Sequence, residues 1–476
     1  MKKEIPENFI GYLDLQGQGN SKYDCFFSVN EYKVSIVPKD DDAKLYISTI
    51  LNARTSSKTL NKWIFGEIPL GGKVAFYARE LFADRLLPQE GTLHFYASII
   101  LKGDSDVDIS TFEKIEFFGG IVNILYSPSK AEKSFGEPGS TGIRPSKDYT
   151  KEFNICIDNE NIDVRFSITV ITSSGRNRIT DRSKSYSTLS FAFATPKTLD
   201  DLLKYYTYAR TIFSFLTFTA NVSFGTSIFT SVDRMYVTAE RERTISRHVS
   251  IDTKINDGFV DYSNDTLDSW TKVIDIEKLT PNISRLFEVL YYEYLLFLPK
   301  QNKDQYIIYH HNVVDICSCL EREFKNLSNM LPATEQNILD DAKALHKDIK
   351  ELINKKSCDD KVKDKALALI SNLRKFQPSL KEKVMVVYTK FYNVMDFVAN
   401  ISVNFPDGSF ESKIGVFNKL RNNTAHDGEI ILGDNVSIYK HLILLVYISI
   451  LHRAGYDDEA IKQILEIPFN YLRRSR

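Results

Sequence analysis

The spacing of hydrophobic positions divides the chain into two halves. In the first half, "DVRFSITV" places Val164, Phe166 and Ile168 on one face and Arg165 and Ser167 on the other. This period of two is typical of a strand that is covered on one side. "KLYISTIL", "TLHFYASII" and "GGIVNILYS" are also rich in β-branched and aromatic residues and predict further strands. We therefore expect mostly antiparallel sheet, in a sandwich-like arrangement, up to about residue 195.

One helix is predicted after this sheet, within "PKTLDDLLKYYTYARTIFSFL". Thr198 can act as N-cap, and Asp201 follows three residues later in a capping-box arrangement. The residues of its apolar stripe recur at helical spacing: Leu199, Leu202, Leu203, Tyr206, Phe213 and Leu216. "NVSFGTSIFTSV" then returns to the alternation of a strand.

The second half has the period of helices, beginning with "TPNISRLFEVLYYEYLLFL". Between the halves, a polar stretch predicts loops with a short strand. The expected fold class is α+β, with a mostly antiparallel β-rich N-terminal domain followed by an all-α helical bundle. The expected bounds are residues 1–235 for the β-rich domain, 236–280 for a connecting region and 281–476 for the bundle.

Charge and hydropathy limit the partners of the whole molecule. The 476 residues include 61 Lys and Arg against 62 Asp and Glu, a net charge of -1, so any contact with nucleic acid has to be local. The most apolar stretch, "LILLVYISIL", is shorter than the roughly 20 residues that span a bilayer, and we interpret it as a buried helix. Since the N-terminus also lacks the pattern of a signal peptide, we expect a cytoplasmic protein without a membrane segment.

The 5 cysteines are scattered, which argues for a reducing compartment and against a disulfide scaffold. Cys317 and Cys319, with His310 and His311 just upstream, raise the possibility of a metal site. No second ligand pair follows at the spacing of a zinc site. The sequence therefore predicts neither a metal nor another cofactor.

Phosphate-loop, zinc-protease, nucleophile-elbow and dinucleotide-binding motifs are absent from the sequence. The candidate chemistry lies in "LRNNTAHDGEI". A helix is predicted from about Ser409, and Gly428 is a natural C-terminal stop. Its predicted buried stripe consists of Phe410, Ile414, Phe417 and Leu420. Arg421 and His426 then lie roughly 140° apart around the helix axis, so that they can flank one space near the helix end.

An arginine and a histidine beside one open space suit phosphodiester chemistry on RNA. The guanidinium of Arg421 can hold a phosphate through paired donors. The imidazole of His426 can act as base or acid toward the ribose 2′-hydroxyl and the leaving oxygen. Asn422 can donate a hydrogen bond to a phosphate oxygen or orient the histidine. These three residues are the predicted catalytic set.

A structural role for the same residues stays open. His426 can cap carbonyl groups at a solvated helix end, and the spacing of an arginine five residues before a histidine recurs at Arg243 and His248. That second copy is expected in a polar, loop-like segment. The spacing alone therefore does not separate a catalytic motif from a structural helix end.

"LRNNTAH", late in a helical bundle and before one more hydrophobic helix, resembles the motif of HEPN-domain ribonucleases: Arg, a polar residue, a few variable residues, then His. "SCLEREFKNL" is similar to an early helix of these domains. "GYLDLQGQ" and the stretch from "TPKTLDDLL" to "SFGTSIFT" resemble the β-rich N-terminal domain of ApeA-type anti-phage HEPN proteins. The resemblance thus extends over nearly the whole chain, in the same domain order.

The resemblance implies a metal-independent RNase that acts in abortive-infection defence and cleaves RNA, with tRNA one candidate substrate. Two HEPN domains would dimerise so that two Arg/His motifs face each other. Arg421 would bind the scissile phosphate, Asn422 would assist, and His426 would be the general acid and base. The expected ends are a 2′,3′-cyclic phosphate and a 5′-hydroxyl. The N-terminal domain would sense a phage-derived activator or regulate the nuclease.

Three further features have two interpretations each. Glu321 and Glu323 can place a carboxylate near the site or face solvent. The basic stretches "GRNRITDRSKS" and "RERTISRH" can contact RNA phosphates or be solvated loops. The aromatics of "LLKYYTY" and "YYEYLLF" are more typical of a core than of base stacking.

At the level of function, the alternatives are a non-catalytic binding or sensor protein with a helical dimerisation bundle and, with no motif in its favour, nucleotidyl transfer.

Overall fold

The structure is a computed structural model that describes part of the chain. The described residues are 7–14, 23–45, 47, 63–68, 72–82, 92–128, 130, 149–169, 185–220, 222–238, 241–253, 273–293, 295–298, 308–327, 336–370, 379–406, 409–427 and 434–473. They form an α+β fold, with antiparallel sheet in the first half and helices in the second. The predicted fold class is confirmed.

Six strands near the N-terminus close into a ring. They are β1 (Asn8–Asp14), β2 (Tyr23–Asn30), β3 (Lys33–Pro38), β4 (Trp63–Ile68), β5 (Gly72–Phe82) and β6 (Leu93–Asp104). Neighbours pair antiparallel in the order β3-β2-β1-β4-β5-β6, and β3 pairs again with β6, where Ile36 faces Leu93. The interior is apolar, with Phe27, Phe76 and Phe95 almost completely buried. This closed ring replaces the expected sandwich, because the β3–β6 pairing does not show in local alternation.

Strand β6 continues out of the ring into a second part of the same sheet. Its residues Ile99 to Lys102 pair with β12, and the order continues β12-β11-β7-β10-β9-β8. These strands are β7 (Thr111–Phe118), β8 (Thr150–Ile157), β9 (Glu160–Thr169), β10 (Tyr186–Thr198), β11 (Thr226–Thr238) and β12 (Arg241–Thr253). The predicted alternation of β9 is confirmed, since Val164, Phe166 and Ile168 are buried while Arg165 is exposed.

Three helices accompany this sheet: α1 (Gly120–Leu125), α2 (Leu199–Thr217) and α3 (Ile283–Tyr291). Helix α2 begins where it was predicted, and both the backbone N–H and the hydroxyl of Thr198 donate to the Asp201 carboxylate. The prediction of a strand across "GGIVNILYS" is wrong. Gly119 has a φ of 134° and lies against the backbone of Gly225, where a Cβ would come within 2.6 Å. A glycine in this conformation ends β7 and lets α1 begin.

The chain forms two compact units, Met1–Glu293 and Tyr294–Arg476. The first unit extends past the expected boundary at residue 235 because β12 pairs with both β11 and β6. Helix α3, which lies inside the expected bundle, also belongs to the first unit. Its Phe287 packs edge-on against Phe153 of β8, and the Tyr208 hydroxyl donates to the Phe287 carbonyl at 2.8 Å.

The second unit is helical, as predicted. Its helices are α4 (His310–Asn326), α5 (Gln336–Lys355), α6 (Asp360–Ile370), α7 (Leu380–Lys390), α8 (Tyr392–Ala399), α9 (Ile401–Asn404), α10 (Ser409–Asp427), α11 (Asp434–Arg453) and α12 (Asp458–Leu465). Helix α4 packs against α7, α10 and α11.

Helix α11 contains the most apolar stretch of the chain. Residues Val436–Arg453 are long and apolar enough to cross a membrane by composition, but 72% of this window is buried inside the protein. The prediction of a buried helix is therefore confirmed, since this is the burial expected of a core helix rather than of a lipid-facing one.

Candidate functional site

Helix α10 carries the candidate motif, and its apolar face holds it against the bundle. Phe410, Ile414 and Phe417 are each 2% exposed, as the predicted stripe requires. The helix runs without interruption from Ser409 to Asp427. Arg421, Asn422 and His426 therefore all lie on its last two turns, while Gly428, the predicted stop, lies outside the described residues.

Arg421 reaches from α10 to the first helix of the unit. Its Nη1 lies 3.3 Å from Glu321 Oε1 on α4, and the two side chains are 30% and 32% exposed. The guanidinium is thus held by a carboxylate at a place that solvent can enter. The suggestion that Glu321 lies near the candidate site is confirmed.

The backbone of α10 also fixes the positions of Asn422 and His426 around the helix axis. At 100° per residue, Asn422 begins roughly 100° and His426 roughly 140° around the axis from Arg421. The side chains of both residues lie outside what the structure describes. The structure accordingly brings Arg421 and Glu321 together, and it gives Asn422 and His426 their helical positions.

Cys317, one turn before Glu321 on α4, lies beneath this pair. Burial raises the pKa of its thiol to about 12, with a smaller opposing effect of Arg421 and a further rise from Glu321. A thiol with this pKa stays protonated at neutral pH, so it is a poor nucleophile and a poor metal ligand.

The cysteines suggested as metal ligands do not face one another. Cys317 and Cys319 are both buried on α4, where residues two apart project roughly 200° from each other. Arg322 Nη2 lies 3.2 Å from the Cys319 sulfur. His311 is exposed and stacks on Tyr309, and the side chain of His310 is outside the described residues. The two thiols therefore do not form one chelating pair.

A second arginine–glutamate pair lies on the same helix and was missed by the sequence argument. Glu323 is completely buried, and Arg453 of α11 donates to both of its oxygens, from Nε at 3.0 Å and from Nη2 at 2.9 Å. Glu323 thus ties α4 to α11. The interpretation of Glu323 as a solvent-exposed carboxylate is therefore wrong. Nothing in the sequence around Glu323 indicates that its partner is Arg453, which lies far along the chain.

A buried histidine, His441, lies on α11. Its Nδ1 donates to the Ser437 carbonyl at 2.7 Å, and its ring packs edge-on against Phe405. Within the described part of the chain, Nε2 has no hydrogen-bond partner. Burial lowers the pKa of this imidazole to about 4, so it is neutral at physiological pH.

The second arginine–histidine spacing has a clear structural setting. Arg243 and His248 lie in strand β12, so the prediction of a loop for "RTISRH" is wrong. His248 Nδ1 is 3.2 Å from the Thr230 hydroxyl on β11, and Arg247 forms an ion pair with Asp106 at 2.7 Å. This part of the basic stretch is built into the sheet, and the side chains of residues 241–245 lie outside the described set.

The remaining candidates are the other basic stretch and the two aromatic stretches. The basic stretch at residues 175–184 lies outside the described residues. The aromatics of α2 are core, as favoured from sequence, since Tyr205, Tyr206 and Tyr208 are buried. Tyr292, in the other aromatic stretch, is 61% exposed, and its hydroxyl donates to Asp158 at 3.1 Å.

No protein-family model matches the chain, and no curated protein or solved structure matches it either.

Proposed function

We propose that the protein is a metal-independent endoribonuclease whose catalytic residues are Arg421, Asn422 and His426. The observation that carries the proposal is the setting of Arg421. This side chain is part-exposed at the end of a long helix and is held by Glu321 across a 3.3 Å ion pair. A guanidinium at such a place can exchange a carboxylate for a phosphate of similar geometry.

The reaction uses the ribose 2′-hydroxyl as nucleophile. His426 accepts the 2′-hydroxyl proton, and the 2′-oxygen attacks the adjacent phosphorus. The bond from phosphorus to the 5′-oxygen breaks, and that oxygen takes up a proton from an imidazolium. Arg421 neutralises the charge that develops on the phosphate, and Asn422 assists by hydrogen bonding. The products are a 2′,3′-cyclic phosphate and a 5′-hydroxyl.

The wider role that we propose follows the resemblance to ApeA-type HEPN proteins. The enzyme is a cytoplasmic homodimer in anti-phage defence, in which the motifs of two copies form one composite site. Its substrate is cellular RNA, with tRNA as the first candidate. The β-rich unit regulates the nuclease in response to a phage-derived activator, because a nuclease that was always active would damage its host.

The Arg421–Glu321 pair also favours a second function, that of a non-catalytic sensor or binding protein. An ion pair with a carboxylate such as Glu321 is also typical of an arginine that has only a structural role at a helix end. In this case the bundle holds two copies together, and "RNNTAH" is only the end of α10.

The test is cleavage of total bacterial RNA and tRNA in the presence of EDTA by the full-length protein and by Arg421→Ala and His426→Ala. We expect cyclic-phosphate ends from the wild type and a loss of at least about 100-fold in each variant. Arg165→Ala, which removes an exposed guanidinium of strand β9 that pairs with Glu152 at the surface, is the matched control and should cleave like the wild type.

If the purified proteins are all inactive, the same set is compared for phage protection in cells, where the activator is present. Protection that requires both Arg421 and His426 supports the nuclease. Equal protection by the wild type and both variants contradicts it and leaves the sensor function.

A further inference from the structure

The turn of α4 that follows Glu321 places two lysines close to the candidate site. Lys325, four residues after Glu321, is exposed. Phe324, three residues after Glu321, is half-buried, and the ammonium of Lys383 on α7 lies 5.9 Å from the centre of its ring. Residues three and four apart are neighbours on a helix, with Cβ atoms roughly 5–6 Å apart. Both lysines are thus about one helical turn beyond the carboxylate that holds Arg421.

Among the residues that the structure describes, neither Lys325 nor Lys383 forms an ion pair. Glu321 lies beside Arg421 instead, and Asp315 lies more than one turn before Glu321, towards the start of α4. The other described carboxylates of α4, α7 and α10 have partners of their own: Glu323 with Arg453, Glu382 with the Ser379 N–H and Glu411 with Lys381. The two ammonium groups are therefore open to an anion from outside the chain.

The contact between Lys383 and Phe324 holds one of these charges in place. A lysine ammonium over the face of a phenylalanine ring is attracted by the ring, and the contact leaves the donors of the ammonium free to turn outward. Lysine acts as a point charge toward phosphate, whereas the planar guanidinium of Arg421 can hold a phosphate through paired donors. The two types of cation thus suit two tasks, since Arg421 can orient the phosphate that reacts and the lysines can hold a neighbour.

We propose that Lys325 and Lys383 form a subsite for the phosphate next to the scissile one in single-stranded RNA. The subsite rests on the proposed function, because it takes the position of the scissile phosphate from Arg421. A strand that runs along α4 from Arg421 brings its next phosphates over the turn at residues 324 and 325. The substrate is then an RNA that continues past the bond that is cut, and a dinucleotide, which has only the scissile phosphate, leaves the subsite empty.

The test is the binding of a single-stranded 2′-O-methyl RNA of about ten nucleotides to the full-length protein over a range of salt concentrations. Each lost phosphate contact to a single strand should reduce the slope of log affinity against log salt by about 0.7. We expect Lys325→Ala and Lys383→Met each to bind about fivefold more weakly and to show this smaller slope. Methionine keeps an unbranched side chain over Phe324, so its effect reports the charge rather than the packing.

Lys343→Ala is the matched control. It removes an exposed ammonium of α5 in the same unit, one that pairs with Asp340 at 3.1 Å. This variant should bind with the affinity and the salt slope of the wild type. Wild-type slopes in both Lys325→Ala and Lys383→Met overturn the subsite, and so does a wild type that binds no RNA.

Cleavage judges the nuclease separately from the subsite. If cleavage requires Arg421 while the two lysine variants bind RNA like the wild type, only the subsite is refuted. If no cyclic-phosphate ends are formed and phage protection does not depend on Arg421 and His426, while the lysine variants bind RNA more weakly with the smaller slope, only the nuclease is refuted. Lys325 and Lys383 then hold RNA phosphates in a binding protein.

Discussion

Helix α4 carries two glutamates that bind two different arginines in opposite surroundings. Glu321 and Arg421 are each about one-third exposed and meet at 3.3 Å. Glu323 is completely buried and accepts hydrogen bonds of 2.9 and 3.0 Å from Arg453. The residue types are the same, but only the first pair lies where an RNA phosphate could replace the carboxylate. Solvent access, rather than pairing itself, separates an arginine that serves the fold from one that can serve a reaction.

The largest expected effect on stability is from Arg453→Ala. Removing this guanidinium takes two charged hydrogen bonds from the buried Glu323 carboxylate, beside which Arg322 Nε lies at 3.9 Å. The free energy of unfolding should fall by about 3 kcal/mol, the lower end of the range for a broken buried ion pair. The measurement is urea unfolding at neutral pH. Arg453→Ala combined with Glu323→Gln removes the buried charge and should recover part of the loss. A change below about 1 kcal/mol in the single variant contradicts a structural role for the pair.

His441 extends the comparison to histidines. Its folded pKa, about 4, lies below its ordinary value of 6.5, so the unfolded chain binds the proton more readily. The contribution to stability is therefore present above pH 6.5 and is lost as the pH falls to about 4, by up to about 3 kcal/mol.

His441→Leu removes this pH dependence. The check is the difference in unfolding free energy between the wild type and His441→Leu, measured from pH 7 to pH 4. The difference should move in favour of the variant as the pH falls, and parallel curves contradict the buried neutral histidine.

Glu321→Gln sharpens the contrast at the solvent-exposed pair. The substitution keeps the shape of the side chain but removes the charge that competes with phosphate for Arg421. We expect binding of a 2′-O-methyl RNA, which cannot be cleaved, to tighten by up to about fivefold. Glu411→Gln is the control, because this exposed carboxylate of α10 pairs with Lys381 rather than with Arg421, and RNA binding should not change. Weaker RNA binding by Glu321→Gln contradicts the proposed competition.

The smallest effect on stability is expected from Arg421→Ala. A part-exposed ion pair contributes little, so the free energy of unfolding should fall by less than about 1 kcal/mol. Urea unfolding alongside Arg453→Ala checks this directly. A loss as large as that of Arg453→Ala instead makes Arg421 a structural residue and favours the non-catalytic function.

The sequence by itself determined the α+β class, the order of the two regions and the identity of several elements. Strand β9 and helix α2 were predictable because burial on one face leaves a period of two or of 3.6 in the chain. The same reasoning located α10 and the face that buries Phe410, Ile414 and Phe417. The β-branched residues after Gly119 predicted a strand where the structure has helix α1, because residue types do not reveal the backbone conformation of the glycine.

Only the tertiary structure decided which distant residues meet. Ring closure by β3 and β6, the inclusion of β12 and α3 in the first unit, and the partners of Glu321 and Glu323 all join residues far apart in the chain. Hydrophobic spacing specifies which face of an element is buried, but it does not specify what buries it. For that reason the sequence does not distinguish Glu321 from Glu323. Tertiary packing buries Glu323 against Arg453 and leaves Glu321 part-exposed beside Arg421 in the candidate site.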